Sequence, residues 1–271
     1  MGKKRLDVLL VERELIETRE KAKRAIMAGL VFSGTERMDK PGVKVEDDIP
    51  LEIKGRVIPY VGRGGLKLER ALQVFPISPE GRTMIDVGSS TGGFTDCALQ
   101  NGAKLCYAVD VGYNQLDWKL RSDDRVVVME RTNFRHATPD MFTKGAPDLA
   151  SIDVSFISLK LMLPPLAEIL DERSDIIALI KPQFEAGREQ VGKKGIVRDA
   201  KVHAAVIKDI LSFAKNLGYV VCGLTYSPIT GGDGNIEFLA HFKWKAEEVP
   251  DVEIDIEHTV AEAHAALKAT E

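Results

Sequence analysis

The chain has 271 residues, 44% hydrophobic and 29% charged, a composition that accommodates one large domain or two modest ones and excludes collagenous, low-complexity and disordered chains. Its formal net charge of −4 is unevenly spread: residues 1–67 carry 15 Lys and Arg against 11 Asp and Glu, residues 68–245 carry 21 against 22, and residues 246–271 carry 1 against 8. An acidic tail masks a basic front end, which suits an anionic partner for the N-terminal segment, and no apolar run approaches the roughly 20 residues that a membrane helix needs.

The N-terminus, MGKKRLDVLLVERE, carries charges where a signal peptide would need its apolar stretch, so the expected location is the cytoplasm. Leu6, Leu9, Leu10 and then Leu15 predict a short helix with one apolar stripe. Thr18 is a candidate N-cap for a second helix that Gly29 closes. On that helix Ala22, Ala25, Ile26 and Gly29 share a face, with Arg19 and Lys23 one turn apart beside it. A strand follows at Leu30–Phe32, a turn at Ser33-Gly34, and alternating strand material over Val43–Ile53.

The string RLDVLLVERELIETREKAKRAIMAGLVFSG, with the extended segment ending DDIPLEI, resembles an S4 RNA-binding domain. In that family the second helix and the loop after it contact RNA phosphates and sugars, which nominates Arg5, Arg19, Lys23 and Arg24. A solvated helix face is the competing reading for each of them singly.

Residues 54–65, KGRVIPYVGRGG, have no helical period and read as a linker. A helix pattern resumes with Leu68, Ala71, Leu72 and Phe75, leaving Lys67 off its apolar face. From Thr83 onward, short aliphatic runs alternate with helical segments: TMIDVG, KLCYAVDV, RVVVME, DLASIDVSF, IIALIKP, YVVCGLTYSP and IEFLAHFKW. That alternation predicts an α/β fold with an open, doubly wound parallel sheet. The last two runs are joined by ITGGDGN, too short for a crossover helix, and should pair antiparallel. The tail AEEVPDVEIDIEHTVAEAHAALKATE is acidic, then faintly helical through Val260, Ala263 and Leu267; fraying, packing on the surface and meeting a partner all remain open for it.

Asp86-Val-Gly88-Ser89-Ser90-Thr91-Gly92-Gly93-Phe sits where the first strand of this sheet turns into a helix. Glycines there let a backbone approach a ligand closely, and a helix N-terminus offers free N–H groups. The GxxxGG spacing departs from the GxGxxG dinucleotide fingerprint, which counts against a nicotinamide oxidoreductase. One βα unit on, Asp110 ends the second strand, where a carboxylate can accept two ribose hydroxyls. An adenosine cofactor without a pyrophosphate points to S-adenosylmethionine, whose cationic end suits Asp86 and Asp153; Asn133, after the third strand, is a candidate for seating the adenine.

Lys67, Asp153, Lys181 and Glu237 fall at element edges facing one end of the expected sheet. Lys181 follows Ile176–Ile180 and precedes Pro182, so its ammonium should be partly desolvated, which favours the neutral amine. A surface ion pair is the competing reading for each residue alone. Arg188, Lys193, Lys194 and Arg198 in GREQVGKKGIVRD form a glycine-jointed basic stretch, read either as a phosphate-contacting loop or lid or as a solvated loop. Cys97, Cys106 and Cys222 are too few and scattered for a disulfide framework or a zinc site. His136, His203, His241, His258 and His264 show no ligand spacing, and no metal is expected.

The set Lys67, Asp153, Lys181 and Glu237 around DVGSSTGGF is similar to the Lys-Asp-Lys-Glu tetrad of FtsJ-type ribose 2′-O-methyltransferases. With the S4-like segment in front and the strings GRGGLKLERAL, DVGSSTGGFTDCALQNGA, DVSFISL and KPQFEAGRE, nearly all of residues 1–245 resembles the TlyA family. One departure is Gly62, where members often carry Ser. The resemblance implies a Rossmann-like seven-stranded methyltransferase domain over residues 61–245 behind a small α+β S4 domain over 1–60, with the acidic tail at 246–271. It implies S-adenosylmethionine as cofactor, ribosomal RNA or a ribosomal subunit as partner, and methylation of a ribose 2′-hydroxyl, with a cytidine as the expected nucleotide. Lys181 would then orient the hydroxyl and take its proton, Asp153 would position Lys181 and the methyl end of the cofactor, and Glu237 would hold Lys67 or the ribose. Two other readings compete: a non-catalytic RNA-binding or ribosome-assembly factor, against which the intact tetrad counts, and a membrane-active haemolysin, against which the lack of an apolar span counts.

Overall fold

A computed structural model of the protein describes residues 2–27, 29–55, 58–232, 234–246, 248–250 and 252–268, and the chain divides into two units, Met1–Pro59 and Tyr60–Glu271. The first runs β1 (Lys3–Arg5), α1 (Leu6–Glu12), α2 (Arg19–Met27), β2 (Val31–Ser33), β3 (Glu36–Arg37), β4 (Lys44–Glu46) and β5 (Glu52–Ile53). β1 pairs antiparallel with β4, and β3, β2 and β5 form a second antiparallel sheet. Leu6, Leu9 and Leu10 meet Ala22, Ala25, Ile26 and Val31 in one small core. Thr18 Oγ1 accepts the Lys21 N–H at 3.3 Å at the start of α2, and Gly29, at φ 71°, ends it in the left-handed region.

Leu15, expected on the first helix's apolar stripe, is 40% exposed. α1 stops at Glu12 and Glu14 adopts φ 56°, so the chain re-enters the core one residue later, at Ile16. The alternating stretch 43–53 is split into β4 and β5 by a turn in which Ile49 N–H donates to the Glu46 carbonyl.

Of the expected linker 54–65, residues 56 and 57 lie outside the described residues, and Gly64 already opens α3 (Gly64–Val74). The second unit continues with β6 (Thr83–Val87), α4 (Gly93–Gln100), β7 (Leu105–Val109), α5 (Trp118–Arg121), β8 (Val126–Met129), β9 (Leu149–Ile152), α6 (Leu163–Ile169), β10 (Asp175–Ile180), α7 (Pro182–Glu185), α8 (Ala200–Asn216), β11 (Tyr219–Tyr226), β12 (Phe238–Trp244) and α9 (Ile256–Lys268). The sheet order is β11-β12-β10-β9-β6-β7-β8. Five strands from β8 to β10 are parallel, and β12 runs antiparallel to both its neighbours. Sequence reasoning anticipates the β11–β12 pairing but not that β12 inserts between β10 and β11. β6, β9 and β10 are buried along their whole lengths, as central parallel strands should be. Their side chains, including Ile85, Ile152 and Ile176, share a core with Leu163 and Leu166 of α6 and Ile207 and Ile210 of α8. α9, from the acidic segment, packs on α8 and β11 and buries Val260 and Ala263 in the same core.

Register sets the working edge of the sheet. Val87, Val109 and Met129 lie level, as do Val87 and Ile152, so the residues that follow them emerge together. β12 runs the other way, and its first residue, Phe238, lies opposite Ile180, which brings Glu237 to the edge where Lys181 emerges. Among the described residues, no helix is long and apolar enough to cross a membrane.

Candidate active site

A cleft of about 530 Å3 opens at the carboxyl ends of β6, β7 and β8, within the range typical of small-molecule sites. Gly88, Ser90, Asp110 and Asn133 line it, all of them anticipated from the sequence. Asp110 Oδ2 accepts the Ser90 N–H at 2.8 Å and Oδ1 accepts the Gly112 N–H at 2.7 Å. One lone pair on each oxygen is left for a hydroxyl donor, so the carboxylate fits a ribose diol. Asn133 Oδ1 caps the short turn Phe134–His136 by accepting the Arg135 N–H. Phe134, Ile157 and Met162 supply apolar lining for an aromatic ring.

Two residues expected to touch the cofactor, Asp86 and Gly92, line neither this cleft nor its neighbour, and Gly93 also has a packing role. Asp86 is buried beneath the turn, outside the cleft lining. Its Oδ2 accepts both the Thr95 N–H and the Thr95 hydroxyl, and its Oδ1 accepts the Ser151 hydroxyl at 2.8 Å. Burial pushes its carboxyl up to about 6, only partly offset by those hydrogen bonds. Asp86 braces β6 against β9 and α4 rather than facing a cation. Gly92, at φ 97°, packs where a Cβ would strike Leu116 and Leu120. Gly93 lets the start of α4 touch the start of α3 backbone to backbone: a Cβ would fall 2.7 Å from the Gly65 nitrogen and 3.0 Å from the Gly62 carbonyl. The departure at Gly62 has its own local reason, since a Cβ there would lie 2.5 Å from Thr91 Oγ1.

A second cleft, of about 380 Å3, adjoins the first and shares Gly88, Ser90, Asp153, Ser155 and Phe156 with it. Ser89, Thr91 and Gly93 line this second cleft, as do Lys67, Lys181 and Glu237. The four ionisable residues anticipated from the sequence meet here. Lys181 Nζ lies 2.6 Å from Asp153 Oδ1, Lys67 Nζ 2.7 Å from Glu237 Oε2 and 3.5 Å from Asp153 Oδ2. Lys67, Lys181 and Glu237 are 7%, 8% and 2% exposed, so two ammonium groups and two carboxylates neutralise one another away from bulk water. Lys67 reaches the group from the first turns of α3, Asp153 and Lys181 from the ends of β9 and β10, and Glu237 from the start of β12.

Sequence reasoning missed several neighbours. Ser155 Oγ accepts from Lys181 Nζ at 3.1 Å, and Gln183 Nε2 donates to Glu237 Oε1 at 3.4 Å. Glu185 accepts from the Ser158 hydroxyl at 2.6 Å and the Leu159 N–H at 2.8 Å, which ties the β9 and β10 loops together; burial raises its carboxyl pKa. Phe156 is 90% exposed at φ 63°, with its ring 4.9 Å from that of Phe184. A bulky residue at positive φ is an uncommon conformation, and here it leaves the ring in solvent beside both clefts. The strings DVSFISL and KPQFE contain all of these residues; their polar and aromatic letters beside Asp153 and Lys181 were the available signal.

The basic residues fall into three situations. In the first unit, Arg5 and Arg19 both bind the buried Asp7 carboxylate, at 2.9 and 3.0 Å, with their outer faces half exposed. The Arg5 and Arg19 guanidiniums hold that carboxyl down at about 2 against the opposing effect of burial. Lys23 is exposed, whereas Arg24 is turned inward and donates to the Pro59 carbonyl at 3.3 Å. In the second unit, Arg188, Lys193, Lys194 and Arg198 are exposed on the loop before α8. Among the described residues, no group of three or more His, Cys, Asp or Glu side chains could hold a metal ion.

Residues 60–244 match the model of the FtsJ-like methyltransferases, and residues 4–48 match that of the S4 domain. The chain is 66% identical to a Bacillus subtilis protein provisionally named rRNA methyltransferase YqxC, over 98% of this chain and 96% of that one. It is 42% identical to the Mycobacterium tuberculosis 16S/23S rRNA (cytidine-2′-O)-methyltransferase TlyA, over 89% of this chain and 88% of that one. A solved structure from Streptococcus thermophilus, provisionally described as a hemolysin, is 55% identical and superposes with a TM-score of 0.79, covering 100% of this chain and 98% of that one.

Proposed function

Because the chain belongs to the TlyA family of FtsJ-like, S-adenosylmethionine-dependent RNA 2′-O-methyltransferases, we propose that it methylates ribosomal RNA at the ribose 2′-hydroxyl of a cytidine. The observation that carries this reading is the convergence of Lys67, Asp153, Lys181 and Glu237 beside a cleft suited to adenosine. When bound, S-adenosylmethionine supplies the electrophilic methyl group. Asp110 would hold its ribose and Asn133 its adenine, with the Gly88–Ser90 turn approaching closely beside them.

The chain's own residues do the rest. Asp153 and Ser155 fix two of the directions around the Lys181 nitrogen, so its remaining direction is free to face a ribose hydroxyl in the second cleft. Lys181, having first released a proton to solvent, would take the hydroxyl proton as the oxygen bonds to the methyl carbon and the methyl–sulfur bond breaks, the electron pair leaving with the cofactor's sulfur, and the Asp153 carboxylate would stabilise the ammonium so re-formed. Glu237, held by Lys67 and Gln183, limits where the ribose can sit, and positioning of this kind accounts for much of the acceleration in group transfer. Phe156, at the junction of the two clefts, offers a face on which an unstacked base can rest. Arg5, Arg19 and Lys23, together with Arg188, Lys193 and Lys194, contribute phosphate contacts that set register without reading sequence.

The test is methyl transfer to ribosomal RNA by Lys181→Ala, with cofactor affinity measured alongside. We expect intact cofactor binding and turnover lowered by about 10²–10⁴-fold, the usual loss when a general base is removed. Turnover close to that of the parent chain would dismiss the central role of Lys181.

A further inference from the structure

One buried side chain joins the basic loop before α8 to the turn before β12, some forty positions away. Asn235 is 1% exposed. Its Oδ1 accepts the Val197 N–H at 3.0 Å, and its Nδ2 donates to the Gly195 carbonyl at 2.9 Å. Its own carbonyl accepts the Gly231 N–H at 2.8 Å. The partners settle which way the amide points, because a flipped group would set donor against donor and acceptor against acceptor.

On one side of this contact, Gly195 N–H closes onto the Gly192 carbonyl at 2.8 Å and Gly192 N–H onto the Ile196 carbonyl at 3.1 Å. That tight turn, completed by Gly195 at φ 71°, presents Lys193 and Lys194 at its two central positions, both exposed. On the other side, Ile229, Thr230, Gly231 and Glu237 wall the tetrad cleft. Gly231 lies so close to the Glu237 carboxylate that a Cβ would fall 2.6 Å from Oε1. A further brace reaches the same loop through His203, whose Nε2–H donates to the Val197 carbonyl at 3.0 Å.

We propose that Asn235 is a positioning residue that holds the Lys193–Lys194 turn against the wall of the tetrad cleft, so that the two ammonium groups receive phosphates of the RNA strand flanking the target nucleotide. The inference rests on the reading of this site as an RNA methyltransferase. The position uses a short amide whose oxygen accepts from Val197 while its nitrogen donates to Gly195; Gln carries the same group on a longer stem, and an imidazole spaces its donor and acceptor differently. Fixing the turn before binding removes an ordering cost that the complex would otherwise meet.

The test compares Asn235→Asp, Lys193→Ala/Lys194→Ala and the triple variant in the full chain, using purified ribosomal RNA and S-adenosylmethionine. Asn235→Asp keeps the acceptor for Val197 and sets an oxygen against the Gly195 carbonyl. We expect cofactor affinity to be unchanged and kcat to fall less than about threefold, while KM for RNA rises about tenfold and the slope of log affinity against log salt flattens by about 0.7 for each phosphate that is no longer neutralised. In the lysine-free background, Asn235→Asp should add less than about twofold to KM, since residues acting through one another are not additive. Additive effects, or an unchanged KM in Asn235→Asp, would overturn the proposal. Should Asn235→Asp fail to fold, Lys193→Ala/Lys194→Ala alone decides, because it alters only exposed side chains: RNA binding and salt slope equal to those of the parent would overturn it. A parent chain that transfers no methyl group to any ribosomal RNA would instead overturn the enzymatic reading beneath it.

Discussion

Replacing Lys67 by Met keeps most of the apolar stem in place and removes the charge that faces Glu237 at 2.7 Å and Asp153 at 3.5 Å. Glu237, 2% exposed, is then left with Gln183 Nε2 at 3.4 Å as the remaining donor in contact among the described residues. Removing one partner of a buried ion pair typically costs about 3–5 kcal/mol, because the surviving charge has already lost its hydration. For a unit of this size each kcal/mol lowers the unfolding midpoint by about 2–4 °C, so Lys67→Met should melt about 6–20 °C below the parent. The double variant Lys67→Met/Glu237→Met removes both charges and should recover most of that loss, yet it should remain inactive in methyl transfer. Circular dichroism melts paired with incorporation of labelled methyl groups into ribosomal RNA separate the two effects. A single variant within about 1 kcal/mol of the parent, or a double variant no more stable than the single, would refute the buried pairing. Turnover regained by the double variant would refute its part in catalysis.

Three further outcomes are expected. Asp110→Ala strands the Ser90 and Gly112 N–H groups and removes the acceptor for a ribose diol, so calorimetry should find S-adenosylmethionine binding weakened by about 10–100-fold; unaltered affinity would remove Asp110 from the cofactor cleft. Burial holds His203 down at about 4, so the unfolded chain takes up its proton first as pH falls: the contribution of neutral His203 is complete above about pH 6.5 and is lost toward pH 4, by up to about 3 kcal/mol. His203→Gln should lack that slope in pH-dependent unfolding, and because Asp86, raised to about 6, acts in the opposite sense in both chains, the difference between the two curves isolates the histidine; parallel curves would discount it. Phe156→Gly relieves a residue held at φ 63° and should leave the melting midpoint within a few degrees of the parent, while loss of a stacking face worth about 1–3 kcal/mol should weaken RNA binding by about 5–150-fold; RNA binding at parental strength would exclude the stacking role.

Strands β6 to β12 were legible because each is a run of aliphatic and β-branched residues bounded by turn letters, and their alternation with helical periods leaves few sheet topologies open. Asp153 and Lys181 were legible for a similar reason, since charges placed directly after buried apolar runs must emerge at a strand end, whereas Lys67 on α3 and Glu237 ahead of β12 were nominated with the help of the family resemblance. Reading failed where a local pattern has more than one three-dimensional meaning. An acid at the end of a glycine-turn strand can face a ligand or brace the turn from below, and Asp86 does the second because Thr95 and Ser151 supply its donors. Gly92 likewise serves packing, Gly93 does so while also lining the second cleft, and Leu15 yields its place to Ile16 through one residue at positive φ.

By itself the sequence determined most of the elements and the family and named the candidate site residues, since periodicity, composition and contiguous motifs depend on residues a few positions apart. Only the tertiary structure decided which of those groups meet. β12 slides antiparallel between β10 and β11, setting Phe238 opposite Ile180 and so Glu237 near Lys181, and Asn235 reaches back to Gly195 and Val197. Such pairings follow from strand register and loop path, to which distant parts of the chain contribute together, and no window of neighbouring residues encodes them.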